Sequence, residues 1–140
     1  GFGGGEPTLH RGFADICRYA ARETGMAVTF TTHGHHLFDE RLVANIAGCV
    51  HFVRVSMDGV REGDEAIRGR PFDDFLRCLR VVRSLSRFGI NYVVNRRTFP
   101  DLEAAAELAV ETGASELLLL PEMPVRGVGG IDSTTRSALA

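Results

Sequence analysis

An α/β fold built as a partial (βα) barrel, with parallel strands alternating with helices, is predicted by three observations. Apolar runs of about five to eight residues alternate with amphipathic segments along the chain. Each amphipathic segment closes on a glycine suited to a left-handed C-terminal cap: Gly25, Gly48, Gly89 and Gly113. The apolar runs recur roughly every 25 to 40 residues, the length of a strand plus a crossover helix. Right-handed crossovers then point every strand the same way, in a barrel or a doubly wound sheet.

Taken in order, Gly1-Phe2-Gly3-Gly4-Gly5-Glu6-Pro7 reads as the end of a strand running into a loop, as in a chain cut from something longer. Residues 12–24 form a helix with Phe13, Ile16, Cys17, Ala20 and Ala21 on one face. A strand over 26–31 follows, then a short helix over 39–47 and a strand over 50–56, the strands rich in β-branched and aromatic residues. A long helix over 72–88 carries Phe72, Phe75, Leu79, Val82 and Leu85 on its apolar stripe, with Arg77, Arg80, Arg83 and Arg87 on a solvated face. Strands over 90–95 and 115–120 flank a helix over 101–112 whose inward residues are Leu102, Ala105, Ala106 and Ala109. Asp132-Ser133-Thr134-Thr135 is a helix-start signal close to the last residue, so both ends read as unfinished elements.

Composition narrows the function. The 140 residues carry a net charge of −2, which excludes the basic field of a nucleic-acid or anionic-lipid binder. No apolar stretch approaches a membrane span, and a cytoplasmic location is expected. All sixteen basic residues are arginine, so no lysine is present for Schiff-base or amine-nucleophile chemistry. Cys17, Cys49 and Cys78 have neither a disulfide nor a metal-knuckle spacing, and Cys17 and Cys78 read as small buried hydrophobes.

In parallel α/β folds, ligands bind at the carboxyl ends of the strands. Those ends are Gly3-Gly4-Gly5-Glu6, Thr31-Thr32-His33-Gly34, Ser56-Met57-Asp58-Gly59, Asn95-Arg96-Arg97 and Pro121-Glu122-Met123-Pro124. A dinucleotide fingerprint does not fit the first, because Gly1-x-Gly3-x-x-Glu6 lacks the third glycine. Asp58 before Gly59 reads as a turn residue.

At these ends the sequence resembles the radical S-adenosylmethionine (radical SAM) superfamily. Gly4-Gly5-Glu6-Pro7 is similar to the family's GGEP turn and Thr31-Thr32-His33-Gly34 to its TTNG segment, with His33 where Asn is usual. Val55-Ser56-Met57-Asp58-Gly59 resembles VSLDG, and 64–69 with Phe72 resembles HDxxRG and the Phe beyond it. The resemblance implies a TIM-like barrel, of which residues 1–140 are a core-domain fragment from the end of the second strand to just after the sixth. It implies S-adenosylmethionine held by Gly4, Gly5, Glu6, Thr32, Ser56, Arg68, Asn95 and Met123. Glycines there let backbone carbonyls approach an ammonium, Glu6 adds an acceptor, and Ser56 and Arg68 face the carboxylate or ribose. It also implies a 4Fe-4S cluster on an upstream CxxxCxxC loop that this sequence does not contain, a protein reductant, a small-molecule or peptide substrate, and an inactive fragment.

Two other readings stay open. His33, His35 and His36 could serve a metal-dependent hydrolase, although two histidines of an HxH are fewer than a catalytic zinc requires, with His10 and His51 elsewhere in the chain. The repeat could also be a non-catalytic nucleotide-binding βα module.

Overall fold

The computed structural model describes residues 1–123, 130, 131, 137 and 138. Pro124 and the helix-start signal at 132–135 lie outside the described residues. Four strands, β1 (Thr29–Thr32), β2 (Phe52–Met57), β3 (Arg87–Val94) and β4 (Glu116–Pro121), form one parallel sheet in the order β1-β2-β3-β4. A doubly wound sheet reverses its strand order at a switch point, whereas the four described strands run in unbroken sequence order, as in a barrel segment. Phe2 extends it beyond β1 by one parallel bridge to Phe30, its N–H donating to Thr29 O at 2.8 Å.

Sequential order with right-handed crossovers places the helices on one face. They are α1 (Phe13–Arg18), α2 (Glu40–Ile46), α3 (Glu62–Arg68), α4 (Phe72–Leu85) and α5 (Leu102–Thr112). Strand alternation sorts the side chains: Val53, Val55 and Met57 of β2 and Ile90, Tyr92 and Val94 of β3 are fully buried in the core with Phe75, Leu79 and Val82 of α4 and Ala105 of α5. Burying each large apolar side chain contributes about 1.5 to 3 kcal/mol. Phe2, Phe13 and Phe30 add an edge-to-face stack at 5.7 and 5.1 Å that seats α1 on β1.

The opposite, partly open face carries Arg54, Ser56, Asn91 and Glu116. There Arg54, Gly89 and Glu116 sit in one register row across β2, β3 and β4, and Arg54 Nε donates to Glu116 Oε1 at 2.6 Å across the middle strand.

Three expectations are corrected. Gly89 is no helix cap: α4 stops at Leu85 because Ser86 turns extended, β3 begins at Arg87, and Gly89 is a strand residue. Its glycine is required because a Cβ would overlap the Glu116 side chain lying over it. Gly25, Gly48 and Gly113 do take left-handed conformations after their helices. The first helix is shorter than its pattern, giving way at Tyr19–Glu23 to a π-helical turn, and Ile16, on the border of the stripe, is exposed. Ala106 points to solvent; Leu108 packs against the core instead, rotating the buried stripe of α5. Residues Glu62–Arg68, to which the pattern assigns no element, form the helix α3 with Arg68 in its last turn.

Candidate functional site: two corners of the strand-end rim

At the first corner the chain leaves Phe2, turns through Gly4 and Gly5, and enters the 3-10 turn Pro7–Leu9. Both glycines have positive φ, 74° and 53°, a conformation strained for any residue with a Cβ, and both have open space where a Cβ would sit. Glu6 locks this loop to the end of β1. Its Oε1 accepts from the Thr8 N–H at 3.1 Å and from the hydroxyls of Thr8 and Thr32, and its Oε2 accepts from the His33 N–H at 2.8 Å. Burial alone would push the Glu6 carboxyl up, but the hydrogen bonds from Thr8, His33 and Thr32 together hold it below its ordinary value.

His33 Nε2 lies 3.2 Å from the same carboxylate, and His33 Nδ1 accepts from the His35 N–H at 3.2 Å. An acceptor Nδ1 leaves the proton on Nε2, so the ring is neutral and donates to Glu6. Burial, first, and then His35, His36 and Arg70 push its pKa down against the pull of Glu6. The Thr32 hydroxyl donates to Glu6 and accepts from the Gly34 N–H at 2.9 Å. Glu6 and Thr32 are thus committed within the chain.

The second corner is different. Arg68 Nη2 lies 2.7 Å from Asp58 Oδ2, with 23% and 13% of the two side chains exposed. Asp58 Oδ1 and Arg68 Nε are both buried without a hydrogen-bond partner among the described residues. Burial pushes the Asp58 carboxyl up, against the pull of Arg68. Asn91, the register partner of Ser56 across β2 and β3, likewise has its Oδ1 buried and unpartnered among the described residues. Buried polar atoms are nearly always paired, so such a group of orphans marks a place where a ligand or water completes the set.

Between the corners stands Arg70, whose side chain is 5% exposed. One guanidinium nitrogen donates to His33 O, another to Ser56 O at 3.2 Å, Nε faces Asp64 Oδ2 at 3.4 Å, and the group lies 4.8 Å above the Phe75 ring. The fully buried Asp64 also accepts from the Asp58 N–H at 3.0 Å.

The third strand end is shaped by its own loop. Asn95 Oδ1 accepts from the N–H groups of Arg97 and Thr98 at 2.8 and 3.1 Å, so its amide oxygen builds the turn. Asn95 nonetheless lines an open cleft of about 420 Å³ with Ile67, Arg96, Arg97, Glu122 and Gly130, next to the end of α3 that carries Arg68. Met123 is 75% exposed and does not line it.

The hydrolase reading finds no geometry. Both ring nitrogens of His33 are engaged, and among the described residues no group of three or more His, Cys, Asp or Glu side chains is disposed to hold a metal ion. His10 Nδ1 accepts from the Gly12 N–H and His51 Nδ1 from the Val28 N–H. The three cysteines are buried, and burial pushes Cys17 to about 11 and Cys78 to about 12, the reverse of a thiolate ligand's need. These residues therefore do not fit an iron–sulfur cluster, whereas the orphaned atoms of the second corner fit a small polar ligand.

Sequence reasoning missed Asp64, Arg70 and Asn91. Period-two alternation through β3 could have placed Asn91 on the face of Gly89. Arg70, in the break between α3 and α4, had no periodic signal.

A sequence model described as the Radical SAM superfamily matches residues 1–109. Fe-coproporphyrin III synthase of Methanosarcina barkeri is 32% identical over 114 residues, covering 79% of this chain and 28% of that protein. Mycofactocin maturase MftC of Mycolicibacterium smegmatis is 32% identical over 119 residues, covering 81% and 30%. The chain thus spans less than a third of the length of either relative. Among solved structures, Streptococcus suis SuiB bound to S-adenosylmethionine superposes with a TM-score of 0.76 at 15% identity, over 98% of this chain and 34% of that one. SuiB bound to precursor peptide SuiA gives 0.67 at 17%, over 84% and 27%. With the strand-end motifs on one rim of a parallel barrel segment and a family match across most of its length, this chain belongs to the radical SAM superfamily.

Proposed function

We propose that residues 1–140 are the core-domain portion of a radical SAM enzyme, running from the end of the family barrel's second strand to just after its sixth, and that their rim binds S-adenosylmethionine. The observation that carries this is the orphaned pair at the second corner, Asp58 Oδ1 and Arg68 Nε. One buried acceptor beside one buried donor matches a hydroxyl, which gives and takes one hydrogen bond; a carboxylate there would be repelled by Asp58. The ribose of the cofactor supplies such hydroxyls, with Ser56 two residues before Asp58 at the same strand end. At the first corner the open carbonyls of the Gly4-Gly5 turn receive the ammonium, held in shape by Glu6 and Thr32 from behind. The cleft bordered by Ile67 and Asn95 takes the adenine.

When bound, the cofactor supplies a one-electron-cleavable sulfonium. This chain's residues bind and orient it, and the 4Fe-4S ligands and a protein reductant come from outside the 140 residues. Cleavage therefore needs more than this fragment. The substrate is a small molecule or a peptide, the latter supported by the precursor peptide bound to SuiB. Three free, buried thiols accord with a cytoplasmic location.

The test is anaerobic titration of the full-length, cluster-reconstituted protein with S-adenosylmethionine, and assay of 5′-deoxyadenosine after reduction. Arg68→Ala should weaken binding about ten- to a hundredfold, the loss of a charge-assisted hydrogen bond, with the cluster intact. Failure of the unaltered protein to bind S-adenosylmethionine overturns the reading.

A further inference from the structure

The β1–β2 ladder ends at the pair Thr32↔Val55. The next residues along each strand, His33 and Ser56, would be the next register pair, and they have no ladder partner there. Arg70 supplies the missing link from the side: its two terminal nitrogens donate to His33 O and Ser56 O, one to each strand end. Asp64 holds the guanidinium through Nε and the Asp58 N–H through its other oxygen. Phe75 closes the remaining face of the guanidinium. His33 is in turn bonded to Glu6, and Glu6 sets the Gly4-Gly5 turn. A single buried side chain thus joins the ammonium corner to the ribose corner, with each of its three nitrogens donating to an acceptor of the protein.

We propose that Arg70 is a positioning residue that fixes the span between the two halves of the S-adenosylmethionine site. This rests on the cofactor reading above. A ligand that reaches both corners gains affinity only if they are held at its own length, because its second half then binds at high effective concentration. A ligand occupying one corner is indifferent to the span. Loss of Arg70 therefore separates the whole cofactor from its pieces, which loss of a merely supportive residue does not.

The experiment measures dissociation constants of S-adenosylmethionine, methionine and 5′-deoxyadenosine on the full-length, cluster-reconstituted protein. Removing Arg70 alone strands Asp64 as a buried charge, so the decisive variant is the double change Asp64→Asn with Arg70→Met, which removes both charges and keeps an oxygen for the Asp58 N–H. Arg70→Lys, which reaches one carbonyl but not both, is the second variant. In each, S-adenosylmethionine should weaken by about tenfold or more, with methionine and 5′-deoxyadenosine each retained within about threefold. A parallel loss of all three ligands makes Arg70 a general support and overturns the inference, as does unchanged S-adenosylmethionine affinity. Absence of cofactor binding by the unaltered protein overturns the cofactor reading and this inference with it.

Discussion

Two corners of one rim each set a carboxyl beside a nitrogen-bearing side chain, and use it oppositely. At the end of β1, Glu6 meets His33 with every oxygen occupied, and hydrogen bonds hold the carboxyl below its ordinary value. At the end of β2, Asp58 meets Arg68 with one oxygen and one guanidinium N–H left over, and burial holds the carboxyl above its ordinary value. A carboxylate whose lone pairs are filled by its own chain is part of the fold. One left short in a buried place keeps an acceptor open to a ligand or a water.

The comparison breaks first at the link between the corners. Asp64→Ala leaves the Arg70 guanidinium buried without its counter-charge and should destabilise the protein by about 3 to 5 kcal/mol, read from urea unfolding midpoints. Next in size, Glu6→Gln keeps the shape but weakens charge-assisted hydrogen bonds from Thr8, Thr32 and His33, a loss of about 1.5 to 3 kcal/mol in the same measurement. Asp58→Asn should cost less than Glu6→Gln; the reverse order would sink the distinction between a closed and an open corner.

Acid titration sharpens it further, because the two carboxyls shift in opposite directions. Glu6, with a folded pKa below its unfolded one, contributes stability that is full above the unfolded value near 4.5 and lost as pH falls through the lowered folded value. Asp58, with a folded pKa above its unfolded one near 3.8, contributes stability that is full below that value and lost as pH rises through the raised folded value. Carboxyl carbon NMR should resolve the two, and S-adenosylmethionine should move Asp58 downward while leaving Glu6 in place. The smallest expected effect is Ser56→Ala: unfolding free energy within about 0.5 kcal/mol, with cofactor affinity reduced about two- to tenfold, the worth of one neutral hydrogen bond.

Much of this was legible before the structure, and the limits are physical. Periodicity and turn residues located four strands and four helices, because the spacing of Phe72, Phe75, Leu79 and Val82 is fixed by packing on a sheet. The rim was legible because parallel sheets gather ligands at one end. The short α3 was missed because its seven residues hold only Ala66 and Ile67 as apolar side chains, adjacent in sequence, which mark no helical face. The two-sided contacts of Arg70 were missed because they depend on two backbone carbonyls from different strands, which no local pattern encodes. Gly89 misled because a glycine near a helix end and a glycine under a neighbour's side chain look alike in one dimension.

That glycine has a consequence for how the sequence can change over time. Arg54 and Glu116 meet across the gap at position 89, so a side chain introduced there pushes Glu116 aside and parts the pair. Conversely, once the pair is gone, the gap is only a weak point in β3. Positions 54, 89 and 116, far apart in the chain, are thus coupled in one direction: a bulky residue at 89 is tolerated best where the pair has already gone, while losing the half-exposed pair alone costs little.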